Sequence, residues 1–319
     1  SQINNIIDNV IASSLSILGG SGADTIRLNN GRYSLNNLNS VNYTNKSNLI
    51  VNGSSEDQAI VNGTVNMESS VTFNNLRVLA ENNGRVQARS LVLVNTGEVG
   101  TETNRLNTSI SDLSLSATNG AVYLEEQDGL SIKSLNTSAT NIVDIKAGGD
   151  LSTSTPVTYT GALNLESQHG NIDLGSNNLL SGLLNLKGGG DINFGNSSTI
   201  SINNLTAQNL NLNSAAGING AGVFSVSGIA TLNAINDITL VNANNDFNQI
   251  AITHADSVRI VESNGFTSVG MSVANELDLA SKGNITIGSA CTADCENAYG
   301  IKSKSLKLQS DASVTVAKN

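Results

Sequence analysis

Two apolar residues six apart, set around a short polar turn, recur along this chain: Leu186/Ile192, Leu212/Ile218, Leu232/Ile238, Ile252/Val258, Ile260/Phe266, Leu279/Ile285 and Leu308/Val314. The turns between them, such as 187–191, 233–237 and 280–284, are built largely of Gly, Asn, Asp, Ser and Ala. Anchors Leu165, Leu186, Leu212, Leu232 and Ile252 are 21, 26, 20 and 20 residues apart, and Leu28, Val51, Phe73, Leu93 and Leu115 are 23, 22, 20 and 22 apart. Short alternating strands at this period, with no helical spacing between them, predict a stack of β-coils in which each layer buries the last.

The fold class expected is therefore all-β: a parallel β-helix, or β-solenoid, of roughly 20–23 residues per coil, whose right hand is taken from the resemblance given below. A repeat running nearly end to end argues for one elongated domain over 1–319, on the order of 70 Å long at about 4.8 Å per layer. With no Trp, five Phe and five Tyr, its core must be stacked Leu, Ile and Val. The single proline, Pro156, suits coils whose inner strands use every backbone N–H.

A net charge of −10 with sixteen Lys and Arg, and no basic run, argues against nucleic acid or an anionic membrane surface as partners. No stretch reaches the ~18 apolar residues of a membrane span. Residues 1–20 lack the basic start of a signal peptide, so if the protein is exported its signal lies outside this chain.

Several local patterns carry expectations of their own. Residues 3–15 place apolar side chains at 3, 6, 7, 10, 11 and 15, the face of a short capping α-helix. The first coils then occupy 22–97, with tight turns at Asn52-Gly53 and Asn62-Gly63, a loop excursion 98–111, and further coils 112–319. Cys291 and Cys295, in a loop over 288–300, are expected to pair as a local disulfide, because a metal site would need ligands beyond the distant His169 and His254. A disulfide implies an oxidising compartment. Residues 19–26 match one copy of a calcium-binding nonapeptide, which alone supplies half a cage, so a flexible link is expected and neither metal nor cofactor. The position before the second apolar residue is held by Asp150, Asp191, Gly217, Asp237, Ser257, Gly265, Asn284 and Ser313, read as backbone geometry rather than an ion ladder. The 48 asparagines are expected in turns or in amide ladders along the stack. Sequons at Asn42, Asn45, Asn52, Asn62, Asn107, Asn136, Asn196, Asn204 and Asn284 are no more frequent than chance predicts.

The order of helix, strand with a Gly31-Arg32-Tyr33 turn, and strand-Asn-Gly units at the N-terminal side resembles the start of pectate-lyase-like right-handed β-helices. Beyond residue 112, units such as Ala230–Leu240 and Leu277–Ile287 resemble the repeats of filamentous-haemagglutinin-like adhesins secreted by the two-partner route, over roughly two thirds of the chain. That family's Asn-Pro-Asn-Gly secretion hallmark is absent. The resemblance implies a secreted or cell-surface adhesin segment and an outer-membrane transporter as a secretion partner.

Polysaccharide lyases and hydrolases also use such helices, and they need carboxylates clustered with a base or paired across strands. The densest acidic spot, Glu125, Glu126 and Asp128 after Tyr123, has Lys133 as its nearest cation in sequence, and His169 with Asp173 makes a poor pair. No catalytic residues are assigned. The function expected is binding of a host or bacterial cell-surface glycan or protein from loops on a rigid scaffold. Contact residues are placed at Asp294, Glu296, Asn297 and Tyr299 and at the edge Tyr123, Glu125, Glu126 and Asp128. The alternatives are a passive stalk and a polysaccharide-degrading enzyme.

Overall fold

The computed structural model describes residues 14–19, 22–35, 41–43, 46–137, 141–288 and 300–316. Every regular element among them is a β-strand. The chain divides into two compact units, 1–164 and 165–319, each a parallel β-solenoid, with about 12 turns between them. The expected helix over 3–15 falls mostly outside the described residues, and Ser14 and Leu15 open the strand Ser14–Leu18 instead.

In the first unit the strands Ser14–Leu18, Asn48–Asn52, Ser70–Asn74, Ser90–Val94, Asp112–Ser116 and Leu130–Thr137 pair in that order. Their register stacks Ile17, Val51, Phe73, Leu93, Leu115 and Leu135 into one buried column. A second ladder aligns Ile26, Ala59, Val78, Val99, Val122 and Val143. Alternation explains both columns, since every second residue of a strand points inward and meets its counterpart one coil away. Each fully buried Val, Leu, Ile or Phe contributes about 1.5–3 kcal/mol.

The beat read from the sequence mixed two ladders at two places. Leu28 stands in register with Val61, not in the Val51 column. Leu186 pairs with Leu205 rather than Leu212, so the anomalous step of 26 joins residues on different faces. Leu212, Leu232 and Ile252 do share a column, as expected, and Ile218, Ile238 and Val258 form the column beside it. The six-residue pair is thus one corner of a coil, with a member on each side.

The first coil is longer because it carries an antiparallel hairpin, Thr25–Asn29 with Arg32–Leu35, continued by Val41–Asn42. Its turn is Asn30-Gly31, at φ 36° and 83°, the positive values that a two-residue hairpin loop requires. Gly63 (φ 102°) marks a register shift inside the strand Gln58–Asn66 rather than a turn between strands. The expected excursion over 98–111 contains strand structure: Val99 bridges Val78 and Val122, and Leu106–Ser109 pairs on both sides. Only a short turn closed by Thr101 and Asn104 leaves the ladder. Pro156 lies between strands Leu151–Thr153 and Thr158–Tyr159, where no ladder N–H is lost.

In the second unit, Leu184–Gly188, Ile200–Ala207, Ile218–Gly220, Ile238–Leu240, Val258–Glu262, Glu276–Ser281 and Ser305–Ser310 include one continuous ladder. Buried polar groups are placed where coils turn. Asn245, fully buried, accepts from the Phe224 N–H (2.9 Å) and donates to the carbonyls of Leu240 (3.1 Å) and Val261 (3.0 Å).

Two substitutions test this account by urea unfolding. Asn245→Ala removes the partner of two buried backbone groups and one half-buried carbonyl and is expected to cost about 2–4 kcal/mol. Asn75, Asn95 and Ala117 occupy one turn column at φ 60°, 49° and 52°. Ala117 there bears the left-handed penalty of a Cβ, so Ala117→Gly is expected to stabilise by about 1 kcal/mol.

Candidate contact surface

The edge singled out in the sequence belongs to the strand Val122–Glu126 and the turn after it. Alternation sends Tyr123 and Glu125 outward and Leu124 and Glu126 inward. Tyr123 is half-buried because Arg105 lies over its ring, 5.5 Å from the centroid, while Arg105 Nη1 pairs with Asp144 Oδ1 at 2.7 Å. The Arg105 side chain is 8% exposed, and its guanidinium also donates to the carbonyls of Leu124 (3.3 Å) and Asp144 (3.2 Å). Burial, with Glu102 and Asp144 nearby, pushes the Tyr123 phenol up, and Arg105 only partly offsets this. Arg105 is absent from the sequence reading of this edge; it lies one short coil before Tyr123, and only stacking brings it there.

Glu126 is a correction to the expected contact set. It is 2% exposed, and its carboxylate accepts from Thr108 Oγ1 (2.6 Å), Ile110 N (3.0 Å) and Asp128 N (3.2 Å). Glu125, exposed, stands opposite Lys146 in the next coil, and Asp128 is exposed on the turn. Lys133 pairs with Asp112 instead of with these acids (3.3 Å). Asp294, Glu296, Asn297, Tyr299 and the pair Cys291/Cys295 lie outside the described residues.

Glu126 exemplifies a repeated corner. An inward side chain accepts from the backbone N–H two residues on: Glu126 from Asp128, Ser214 from Ala216, Glu262 from Asn264, Ser281 from Gly283, Ser310 from Ala312. Three corners carry the larger polar groups Glu126, Asn196 and Glu262, each facing a small residue in the following coil, Ala147, Ser214 and Ser281. Asn196 is 3% exposed and bonded to both backbone groups of Leu180, so its sequon is inaccessible in the folded chain.

Repeats of unknown function (DUF5649) match residues 119–187 and 189–254. The two matches are adjacent and nearly equal in length, each spanning about three coils, and Glu126 and Asn196 sit at equivalent places near their starts. No curated protein and no solved structure matches the chain.

Many outward asparagines bond in rows from coil to coil. Asn62 donates to Asn29 (2.7 Å) and Asn82 to Asn62 (2.8 Å); Asn193 donates to Asp173 (2.9 Å) and Asn211 to Asn193 (2.9 Å). Asp173 also accepts from Gly175 N, so it closes a row rather than serving His169. Asp191 accepts from Asn209 and Asp237 from Ser257 N, which makes these turn acids acceptors for the next coil; of the turn positions named above, only Gly265 (φ 117°) has the left-handed backbone. Among the described residues no group of three or more His, Cys, Asp or Glu could hold a metal ion. Of the nonapeptide segment, Asp24 N donates to buried Asp57 (2.7 Å), and residues 20 and 21 lie outside the described residues.

Burial raises the Glu126 carboxyl above its ordinary 4.5, and the hydrogen bonds from Thr108, Asp128 and Ile110 partly oppose the shift. A carboxyl raised in the fold holds its proton more tightly folded than unfolded, so its contribution to stability is present at low pH and weakens as pH rises past 4.5 to the folded value. Carbon-detected NMR is expected to show Glu126 titrating above 4.5, and a titration at or below that value would refute the burial argument.

Proposed function

We propose that this chain is a non-enzymatic segment of a secreted or surface-exposed bacterial adhesin, in which the solenoid carries contact residues for a cell-surface glycan or protein. The observation that carries this reading is the arrangement of outward side chains in rows, one residue per coil, on a backbone bonded to both neighbours. Such rows are already ordered before a ligand arrives, which lowers the entropy lost on binding. The units Ala230–Leu240 and Leu277–Ile287, with their resemblance to filamentous-haemagglutinin-like repeats, support export through an outer-membrane transporter and display at the surface.

The carboxylates that a polysaccharide lyase or hydrolase would use speak for a scaffold instead. Glu126 is enclosed by hydrogen bonds, and Asp173 is held by Asn193 and Gly175. A general acid or base needs access to a substrate proton, and burial withholds Glu126 from one. The passive-stalk alternative draws support from the edge at Tyr123, where Arg105 and Asp144 engage the side chain expected to make contact.

The test is attachment of the purified, fluorescently labelled chain to host and bacterial cells and to a glycan array. Selective, saturable binding is expected, with no product released from pectic or alginate-like polymers. Uniform absence of binding would favour the stalk. Loss of binding in a Cys291→Ser/Cys295→Ser variant would assign contact to the loop over 288–300.

A further inference from the structure

Within the second unit, the strands Ile192–Asn196 and Leu210–Ser214 and the residues 230–234 pair without any register shift. Their outward residues form two parallel rows. One runs Asp173, Asn193, Asn211, Thr231, and the other Asn213, Asn233 and on toward Thr253 and His254. Asn193, Asn211, Asn213 and Thr253 are exposed, and Thr231 and Asn233 half-buried. The amides are fixed by one another: Asn211 donates to Asn193 at 2.9 Å and Asn233 to Asn213 at 2.8 Å.

A primary amide has two N–H donors and two acceptor lone pairs. A ladder bond uses one N–H of one residue and one lone pair of the next, so each rung keeps donor and acceptor capacity for solvent. The side-chain rotamers are meanwhile held by the ladder. The result is a comb of preordered neutral donors and acceptors, spaced about 4.8 Å along the stack and about 6.6 Å across it. Two coils, about 9.6 Å, is close to the length of a disaccharide in an extended β-linked polymer.

The charge bordering these rows is acidic, with Asp173 at the early end of one row and exposed Asp191 on the turn just before Ile192. On the neighbouring ladder the outward row runs Thr239, Arg259, Asp278, Lys307, with Asp278 between the two cations at 3.7 and 3.4 Å. On the amide face the carboxylate of Asp173 begins one row, with Asn193 and Gly175 N both bonded to its Oδ1. An anionic polymer would lose hydration there and meet only like charge, whereas hydroxyls of a neutral sugar can exchange water for amide groups at little cost.

We propose that this amide face binds an extended, neutral β-linked polysaccharide, with successive sugar hydroxyls bonded to successive coils. This rests on the adhesin reading above and names its ligand class and site. The face offers no aromatic platform, so single contacts are weak and affinity comes from several coils acting on one chain.

The test is affinity electrophoresis of the full chain in gels containing hydroxyethyl cellulose, with pull-down on cellulose and chitin, and polygalacturonate as the anionic comparison. Retention by a neutral polymer that persists at high salt is expected. Asn193→Ala/Asn211→Ala and Asn213→Ala/Asn233→Ala are each expected to weaken it about tenfold with the circular dichroism spectrum unchanged. Asn52→Ala/Asn74→Ala removes a comparable ladder bond (3.0 Å) in the first unit and is expected to leave retention intact. Absence of retention on every neutral polymer, preference for polygalacturonate, or equal loss in the Asn52/Asn74 variant would each overturn the proposal. Cell attachment retained by the combined four-alanine variant would overturn this site while leaving the adhesin reading standing. A dimer in sedimentation that dissolves in the same variants would assign the face to a second copy of the chain instead.

Discussion

Every inner strand of a parallel solenoid must satisfy its backbone N–H and C=O groups on the coils before and after it, and no coil can slip by one residue without turning its apolar side chains out. This constraint explains the columns. Ile17 to Leu135 in the first unit and Phe194, Leu212, Leu232, Ile252 in the second are what remains when each coil must present the same side-chain class at the same height. Additions sit where the chain has left the ladder, as in the hairpin at Asn30-Gly31 and the turn at Thr101–Asn104, while smaller shifts such as the one at Gly63 are absorbed inside a strand.

Corners present the complementary problem, because a chain that changes direction leaves amide groups without a strand partner. The inward residue at the end of the strand supplies an acceptor, a hydroxyl at Ser214, Ser281 and Ser310 and a carboxylate at Glu126 and Glu262. A serine offers one oxygen to such a turn. A glutamate can take several donors, as Glu126 does from Thr108, Ile110 and Asp128 and Glu262 from Asn264, Gly265 and Ser281. Burying a carboxylate is tolerable under that condition, which Glu126 meets at both oxygens and Glu262 at Oε2 alone, its Oε1 being buried without a hydrogen-bond partner. The small residues opposite these groups in the following coil leave them space.

Outside, the rows have a direction. Each amide-to-amide and amide-to-carboxylate bond between coils described above donates toward the earlier coil, from Asn62 to Asn29 through Asn233 to Asn213. An aspartate can only accept, so Asp144, Asp173, Asp191, Asp246 and Asp256 stand at the early end of their rows, under Asn164, Asn193, Asn209, Asn264 and Asn275. At the late end of one row Lys304, a pure donor, bonds the Asn275 oxygen (2.8 Å). These five acids, scattered in the linear text, are therefore terminators of polar rows.

The sequence by itself determined the class of fold, because a period near twenty with period-two alternation inside it has no other compact solution, and it placed Leu212, Leu232 and Ile252 in one column. It placed Leu28 and Leu186 on the wrong face, since the same alternating pattern occurs on every side of a coil and carries no label for the side. The contact edge was legible only as composition. That Glu126 points inward follows from counting two residues beyond Leu124, but that Arg105 and Asp144 enclose Tyr123 depends on three coils being stacked. The amide rows are likewise a tertiary product: asparagines some twenty residues apart are unrelated in the chain and become hydrogen-bonded neighbours only when the backbone ladder fixes their height and register.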